Sequence, residues 1–169
     1  MISPLSLANV LTVFVALVCF WTMSPQARGG VIRLWRLALP AAFAAVVSLM
    51  LLAGVFEARL AHDAEWLAAL LLGALIGRTR GWALPVDIDH TWGLVRLPRS
   101  MDGLLAAGGI VAAAAIDFIS SALEEAVIEP EHVAALSAVC AGFIGCRALA
   151  IITRSTRAPH VGLRDATRG

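Results

Sequence analysis

Residues 103–123 read GLLAAGGIVAAAAIDFISSAL, and Asp117 is the only ionisable side chain among them. A helix rises about 1.5 Å per residue, so a run of this length can cross roughly 30 Å of hydrocarbon. Lipid offers the backbone no hydrogen-bond partners, so an apolar run of this kind satisfies its peptide groups in lipid only as a helix. The stretch therefore predicts a membrane-spanning helix.

Four further apolar blocks surround this one. The chain has 169 residues and is 60% hydrophobic, well above the roughly 45–50% of soluble domains. We expect an all-α integral membrane protein whose single five-helix transmembrane domain covers residues 1–153. The first block lacks a basic N-terminal region and a small-residue cleavage pattern, so it is interpreted as a retained helix and not a signal peptide. The predicted spans are residues 5–23, 37–56, 62–80, 103–123 and 132–152.

The arginines predict the orientation of these spans. All thirteen basic residues are arginine, and cytoplasmic loops are enriched in basic residues. Eleven fall in the first loop, the third loop and the C-terminal segment, whereas the other two loops hold only Arg59 together with seven acidic residues. We expect the N-terminus outside and the C-terminus in the cytoplasm. Residues 154–169 are predicted to form a basic, disordered tail.

The third loop predicts a β-hairpin over residues 82–99. Residues 77–100 read GRTRGWALPVDIDHTWGLVRLPRS, with apolar and polar side chains alternating along two short segments. Gly93 suits a turn with positive φ. Pairing Asp89 with Leu94 places Asp87 opposite Arg96 and brings the apolar side chains to one face. Because a lone hairpin is marginal in water, we expect this face to dock on the helix ends or the lipid headgroups.

The hairpin and the helix end before it form a candidate cytoplasmic contact element. It is either a structured connector or a docking surface for a partner protein or lipid headgroup. Catalysis by Asp87, Asp89 or His90 is disfavoured, because an exposed turn lacks the enclosure that shifts pKa values. The residues of this element are Arg78, Arg80, Trp82, Asp87, Asp89, Trp92, Arg96 and Arg99.

Glycines at every fourth position predict close helix packing in the third span. Small residues at this spacing let a second helix approach the backbone, and the partner is either a neighbouring helix of the same chain or a second subunit. The last span carries a similar pair. The five residues are Gly73, Gly77, Gly81, Gly142 and Gly145.

Three polar residues inside spans are candidates for function. Asp117 and Ser120 belong to a small, polar stripe of the fourth span, and a carboxylate in a span faces the bundle or water. Asp117 is either a structural side chain bonded to serine or a titrating group. Arg147 lies close to the cytoplasmic end of the last span, where its side chain can reach the interface. The two residues lie at different depths, so a direct salt bridge between them is not expected.

His62 and His132 border the two outer loops and could converge on a metal or haem. Neither residue belongs to a spacing motif for a metal ligand, and the chain contains no CxxC, phosphate-binding glycine loop or serine nucleophile elbow. Surface histidines at loop ends are the preferred interpretation. The sequence therefore predicts no metal and no cofactor.

Three segments resemble small bacterial membrane proteins of the CcdC-like group. They are GALIGRTRG at the end of the third span, VDIDHTWGLVRLPRS in the hairpin and AGFIGCRAL in the last span. The resemblance implies about five spans, a glycine-rich third span and a location in the bacterial cytoplasmic (inner) membrane. The group's name links it to cytochrome c maturation, and the resemblance implies no catalytic residues.

Three functions follow as hypotheses. The preferred one is a non-enzymatic structural, assembly or accessory factor that acts in the lipid bilayer as a homo-oligomer or with a membrane protein, and not with nucleic acid. The first alternative is a small oligomeric transporter or proton-coupled carrier that uses Asp117. The second is a membrane redox or haem protein that uses His62 and His132.

Overall fold

The computed structural model describes residues 6–54, 60–123 and 125–163, and most of them are helical. Residues 5, 55 and 56 of the predicted spans, Arg59, Glu124 and tail residues 164–169 lie outside these ranges. The helices are α1 (Leu7–Arg28), α2 (Ala38–Gly54), α3 (Leu60–Ala83), α4 (Asp102–Leu123) and α5 (Pro130–Ser155). The strands are β1 (Gly30–Arg33), β2 (Asp87–Asp89) and β3 (Leu94–Leu97), and a 3-10 turn covers Leu34–Leu37.

Four of the five helices are long and apolar enough to cross a membrane. They are α1, α4, α5 and the combination of the 3-10 turn with α2 over Leu34–Gly54. The prediction of five spans is therefore met for four. Helix α3 has the length but not the composition, because Asp63, Glu65, Arg78 and Arg80 near its two ends shorten its apolar run.

The helices alternate in direction through the bundle. Asn9 near the start of α1 contacts Asp117 near the end of α4, so these helices are antiparallel. Cys19 of α1 contacts the carbonyl of Pro40 near the start of α2, which is antiparallel as well. The three odd-numbered helices thus run one way and the two even-numbered helices the other. We call the end that holds Arg28, Leu37, Ala83, Asp102 and Ser155 the sheet end, and the opposite end the far end.

Small side chains fill the interior of the bundle, while large apolar side chains point outward. Ala16, Ala44, Ala107 and Ala113 are fully buried in the core, which lets the helices approach closely. Large apolar residues on the outer faces are exposed, among them Phe14, Leu17, Leu71, Leu75 and Leu105. An apolar surface of this kind suits a lipid environment.

The three strands form an antiparallel sheet in the order β1-β3-β2. In the β2–β3 ladder Asp87 lies opposite Arg96, Ile88 opposite Val95 and Asp89 opposite Leu94, and Gly93 in the turn has a φ of 59°. The predicted hairpin is too long at its start, because α3 continues to Ala83. The sequence also missed β1, which pairs with the other edge of β3 from Gly30↔Leu97 to Arg33↔Leu94.

The sheet packs by its apolar face on the ends of the helices. Ile88, Val95 and Leu97 form one buried cluster with Leu37 and with the last turns of α5, represented there by Ala148 and Ile151. Val95 and Ile151 are completely buried. This second core joins the sheet to the bundle, so the hairpin does not depend on its own marginal stability.

The C-terminal segment is ordered over its first part. The sequence predicted a disordered tail from residue 154, whereas α5 continues to Ser155 and the chain then returns to the sheet. The N–H of Val161 donates to the carbonyl of Ile88 at 2.8 Å, and His160 forms a parallel bridge with Ile88. Leu163 is buried. The free edge of β2 is thereby covered by the chain itself.

Candidate functional site

The glycines of α3 lie directly on α5. A Cβ atom at Gly73 would overlap the carbonyl of Val139, and one at Gly77 would overlap the carbonyl of Phe143. At Gly81 it would lie 2.7 Å from Cβ of Ala150 and 2.8 Å from the carbonyl oxygen of Arg147. The contact recurs every four residues, so α3 and α5 are parallel and their backbones touch along the bundle.

The two glycines of α5 differ from each other. A Cβ atom at Gly142 would overlap the carbonyl of Leu70, so this residue belongs to the same close contact. At Gly145 a Cβ atom would meet no described atom within 4 Å. Gly145 therefore does not take part in the packing that its spacing predicts, because it lies on a different face of α5.

Two arginines hold the end of α3 in place. Arg80 forms a salt bridge with Asp102, the first residue of α4, and its Nε lies 2.7 Å from Oδ2 of that carboxylate. Nη1 of Arg154 donates to the carbonyl oxygens of Gly81, Trp82 and Leu84, at 3.1, 2.8 and 2.7 Å. Arg154 thus satisfies carbonyls that the end of a helix leaves unpaired. This role could not be predicted from the sequence, since Arg154 lies 70 residues beyond Leu84.

Asp89 lies in the interior and not on an exposed turn. Its side chain is 3% exposed, and Oδ1 accepts hydrogen bonds from the N–H groups of Thr91 and Trp92 at 3.0 and 3.3 Å. Oδ2 accepts from the N–H of Leu163 at 3.1 Å. These backbone donors, Leu163 first, lower the pKa of Asp89 below its usual value. Asp89 is therefore an anchor for the turn and for the C-terminal segment.

The remaining residues of the contact element are exposed at the sheet end. Asp87 and Arg96 face each other on the outer face of the sheet. Trp82 is half-exposed beneath the guanidinium of Arg154, whose Cζ lies 5.8 Å from the ring centroid. Trp92 and Trp35 border an open groove with Arg33 and Gly93. Arg78 lines a second groove beside α5 and Arg99 a third beside α1.

A polar cluster joins α1 and α4 near the far end. Nδ2 of Asn9 donates to Oδ2 of Asp117 at 3.1 Å and contacts Oγ of Ser121 at 3.0 Å. Ser120 is buried, and its Oγ accepts from the N–H of Val127 at 3.2 Å. Asp117 is half-buried. The partner of Asp117 is therefore Asn9, which the sequence analysis did not single out.

Arg147 is enclosed by helices at the sheet end. Its side chain is 3% exposed, and its Nε has no hydrogen-bond partner among the described residues. Nη1 lies 3.4 Å from the position of a Cβ atom on Gly103, in the first turn of α4. This is the sheet end, whereas Asp117 lies towards the far end, so the two residues are separate as expected. The guanidinium interacts electrostatically with Asp102 and Arg80 at this end of the bundle, and its position at the membrane interface stays a prediction.

His62 and His132 both lie at the far end, each against a glutamate. Nε2 of His62 lies 2.7 Å from Oε2 of Glu131, which connects α3 to α5. Nδ1 of His132 lies 3.3 Å from Oε2 of Glu129. Ligand atoms of Glu129, Glu131 and His132 all lie within 4.8 Å of one another. The sequence suggested that the two histidines could converge but gave no role to the two glutamates between them.

Comparison of the chain with models of protein families, with curated proteins and with solved structures gives no match. The resemblance to the CcdC-like group stays a prediction from three short segments.

Proposed function

We propose that this chain is a non-enzymatic accessory or assembly factor of a bacterial cytoplasmic membrane, with the sheet as its cytoplasmic contact surface. In this proposal all five helices cross the bilayer. The N-terminus lies outside, and the sheet end lies in the cytoplasm. The partner is a membrane protein or a second copy of the chain.

The charge distribution supports this orientation. Exposed arginines gather at the sheet end, namely Arg28, Arg33, Arg36, Arg78, Arg80, Arg96, Arg99 and Arg157. The acidic residues Glu65, Glu125, Glu129 and Glu131 lie at the far end, near the starts of α3 and α5. Basic residues are retained on the cytoplasmic side of membrane proteins, which favours the sheet end as the cytoplasmic side.

The packing of α3 supports its assignment as a fifth span. It runs parallel to α5, one of the four helices that meet the criteria for spanning, and is in contact with it from Gly73 to Gly81. Leu71, Leu72 and Leu75 on its outer face are more than half exposed. Such leucines suit contact with lipid. The charged side chains are confined to its first two and last two turns, from which they can reach the interface.

The observation that carries the proposal is the rigid attachment of the sheet. Its apolar face is buried on Leu37 and α5, Arg154 and Asp89 fix its surroundings, and its polar face with Asp87 and Arg96 remains outside. If the hairpin only connected α3 to α4, neither strand β1 nor the return of the C-terminal segment to the sheet would be required. A surface held in one conformation loses little entropy on binding, which favours recognition of a partner.

Photo-crosslinking in native membranes tests this proposal. A photo-reactive residue at position 87 or 96 on the outer face of the sheet should give a discrete protein adduct. The matched control carries the same residue at position 71, on the lipid-facing side of α3. The charge variant Arg33→Glu, at the last residue of strand β1, should weaken the adduct. Identical crosslinking profiles at positions 71, 87 and 96 would contradict a contact role for the sheet.

A small transporter or proton-coupled carrier is the second candidate, and the cluster around Asp117 favours it. A carboxylate within a membrane span has a high free-energy cost, and such residues commonly have a functional role. Asn9 and Ser121 provide Asp117 with a polar environment. In this case Asp117→Asn abolishes flux in proteoliposomes while the protein still folds. For an accessory factor, the same variant retains its partner and its function.

The packing of α3 limits how an oligomer could form. The glycine face of α3 is already occupied by α5 of the same chain. A second copy must therefore use another surface, and the outward leucines of α3 or the sheet end are available for this.

A further inference from the structure

We propose that His62, Glu129, Glu131 and His132 at the far end of the bundle bind one divalent transition-metal ion of the zinc type. The sequence predicted no metal, because none of its spacing motifs applies. Glu129, Glu131 and His132, around the start of α5, place their ligand atoms within 4.8 Å of one another, and His62 of α3 contacts this group through Glu131.

The types of side chain fit this class of metal. Imidazole nitrogen and carboxylate oxygen are ordinary ligands of Zn²⁺, at metal–ligand distances of about 2.0–2.2 Å. Calcium and magnesium prefer sets composed of oxygen alone. Two histidines among four ligands therefore favour zinc and its neighbours in the first transition series.

One contact within the cluster has the length expected between two ligands of a tetrahedral site. Ligand atoms at about 2.0–2.1 Å from a tetrahedral ion lie roughly 3.3 Å apart. Nδ1 of His132 and Oε2 of Glu129 are 3.3 Å apart. Nε2 of His62 and Oε2 of Glu131 are 2.7 Å apart, as in a direct hydrogen bond, and would separate slightly when both bind a metal. The ligand atoms of Glu129, Glu131 and His132 lie within 4.8 Å of one another, so side-chain rotations would have to close the remaining distances.

The His62 ring contacts the cluster with one of its two nitrogens. Its Nδ1 is buried and has no hydrogen-bond partner among the described residues, while Nε2 faces Glu131. The ring is therefore directed at the cluster through Nε2. It is also supplied by a different helix, so the cluster is more than a local feature at the start of α5.

The charge of the cluster favours a cation. The positive end of the α5 dipole corresponds to roughly half an elementary charge and opposes a metal ion. Glu129 and Glu131 carry two negative charges when ionised and outweigh this effect. A bound ion would connect α3 to α5 at the far end, just as the glycine contact connects them along the bundle.

Metal content after equilibrium dialysis is the decisive measurement. The full-length protein, purified in detergent without a histidine tag, should retain one Zn²⁺ per chain, and its Tm should rise when ZnCl2 is added. His132→Gln changes an exposed ring and should leave the fold intact. It should weaken Zn²⁺ binding by about 100-fold or more, since even the loss of a neighbour of a ligand costs about 10–100-fold. Glu129→Gln and His62→Ala should act in the same direction.

The remaining two histidines provide the matched control. His90 and His160 lie at the sheet end with ring centroids 6.1 Å apart, and the variant His90→Ala should retain the bound Zn²⁺ and the rise in Tm. The proposal is overturned if the protein binds no Zn²⁺, or if His132→Gln and Glu129→Gln bind it as tightly as the unchanged protein. A Soret band in the purified protein would instead indicate haem and would also overturn it.

Discussion

The backbone N–H of Leu163 donates a hydrogen bond to Oδ2 of Asp89 at 3.1 Å, which holds the C-terminal segment on the sheet. The other carboxylate oxygen accepts from the turn of the same hairpin. One buried side chain therefore fixes two segments separated by 74 positions in the chain. This arrangement makes the attachment of the C-terminal segment depend on the ionisation of Asp89.

We expect the C-terminal segment to be released at acidic pH. The pKa of Asp89 is lowered in the folded protein, so its contribution is fully present above the usual carboxyl value of about 4. It is lost as the pH falls further, through the lower folded value. Hydrogen exchange at the N–H groups of Val161 and Leu163 measures this. Their protection, corrected for intrinsic exchange, should be constant between pH 5 and pH 8, where Asp89 stays ionised, and should fall in strong acid.

The variant Asp89→Asn isolates this effect. Asparagine keeps the shape of the side chain and one acceptor oxygen but does not ionise. In this variant the N–H groups of Val161 and Leu163 should be less protected from exchange at neutral pH. Their protection should also lack the fall in acid that the carboxylate causes. Asp87→Asn is the matched control, because Asp87 is exposed on the neighbouring face. An acid transition of equal size in Asp89→Asn would show that another group controls the segment.

We expect Gly77→Ala to destabilise the bundle while Gly145→Ala does not. The added methyl group at Gly77 overlaps the backbone of α5 at Phe143, and such overpacking costs about 1–3 kcal/mol. At Gly145 the methyl group meets no described atom within 4 Å, and alanine favours the helix by up to about 1 kcal/mol. Thermal unfolding in detergent compares the two variants. Equal losses in Tm would contradict the α3–α5 contact, and Gly77→Leu should prevent assembly altogether.

We expect Arg154→Ala to loosen the connection between α3 and the sheet. The substitution removes the donor to three carbonyl groups, at Gly81, Trp82 and Leu84. Hydrogen bonds from a charged donor contribute about 1.5–3 kcal/mol, and we expect about 1–2 kcal/mol here because the site is partly exposed. Denaturant unfolding in detergent measures the loss. Arg157→Ala removes the same charge from an exposed position and should change stability by less than about 0.5 kcal/mol.

The sequence predicts the helices well because the length of an apolar run depends only on neighbouring residues. The observed bounds of α4, Asp102–Leu123, differ by one residue from the predicted span of residues 103–123. The pairing of β2 with β3 is also predicted from local features, namely the alternation of apolar and polar side chains and the turn at Gly93. Helix α3 was assigned to the membrane from its central apolar run alone, and its charged ends place it outside the set of apolar spans.

The contacts between distant segments could not be predicted. Strand β1 has four residues, GVIR, too few for a periodic signal, and it forms because β3 offers a free edge. Asn9 and Arg154 looked like ordinary polar residues near helix ends, and only the packing of the helices reveals their partners. In the cluster around His62, the sequence suggested that His62 and His132 could converge, but it did not include the two glutamates. Glu129, Glu131 and His132 are close in the sequence, whereas His62 belongs to another helix, so no spacing joins it to them.

Asp117→Asn distinguishes the two proposed functions. In the unchanged protein, Nδ2 of Asn9 donates to Oδ2 of Asp117 at 3.1 Å. Asparagine at position 117 retains an oxygen that can accept this hydrogen bond, so the Tm should change little. Asp117→Leu removes that acceptor, and a weakened buried hydrogen bond costs about 1 kcal/mol. Reconstituted protein is then assayed for proton-coupled flux and for the crosslinked adduct at position 87. If the chain is an accessory factor, Asp117→Asn keeps the adduct and the wild-type protein shows no flux above empty vesicles. If it is a carrier, the wild type shows flux and Asp117→Asn loses it at unchanged Tm.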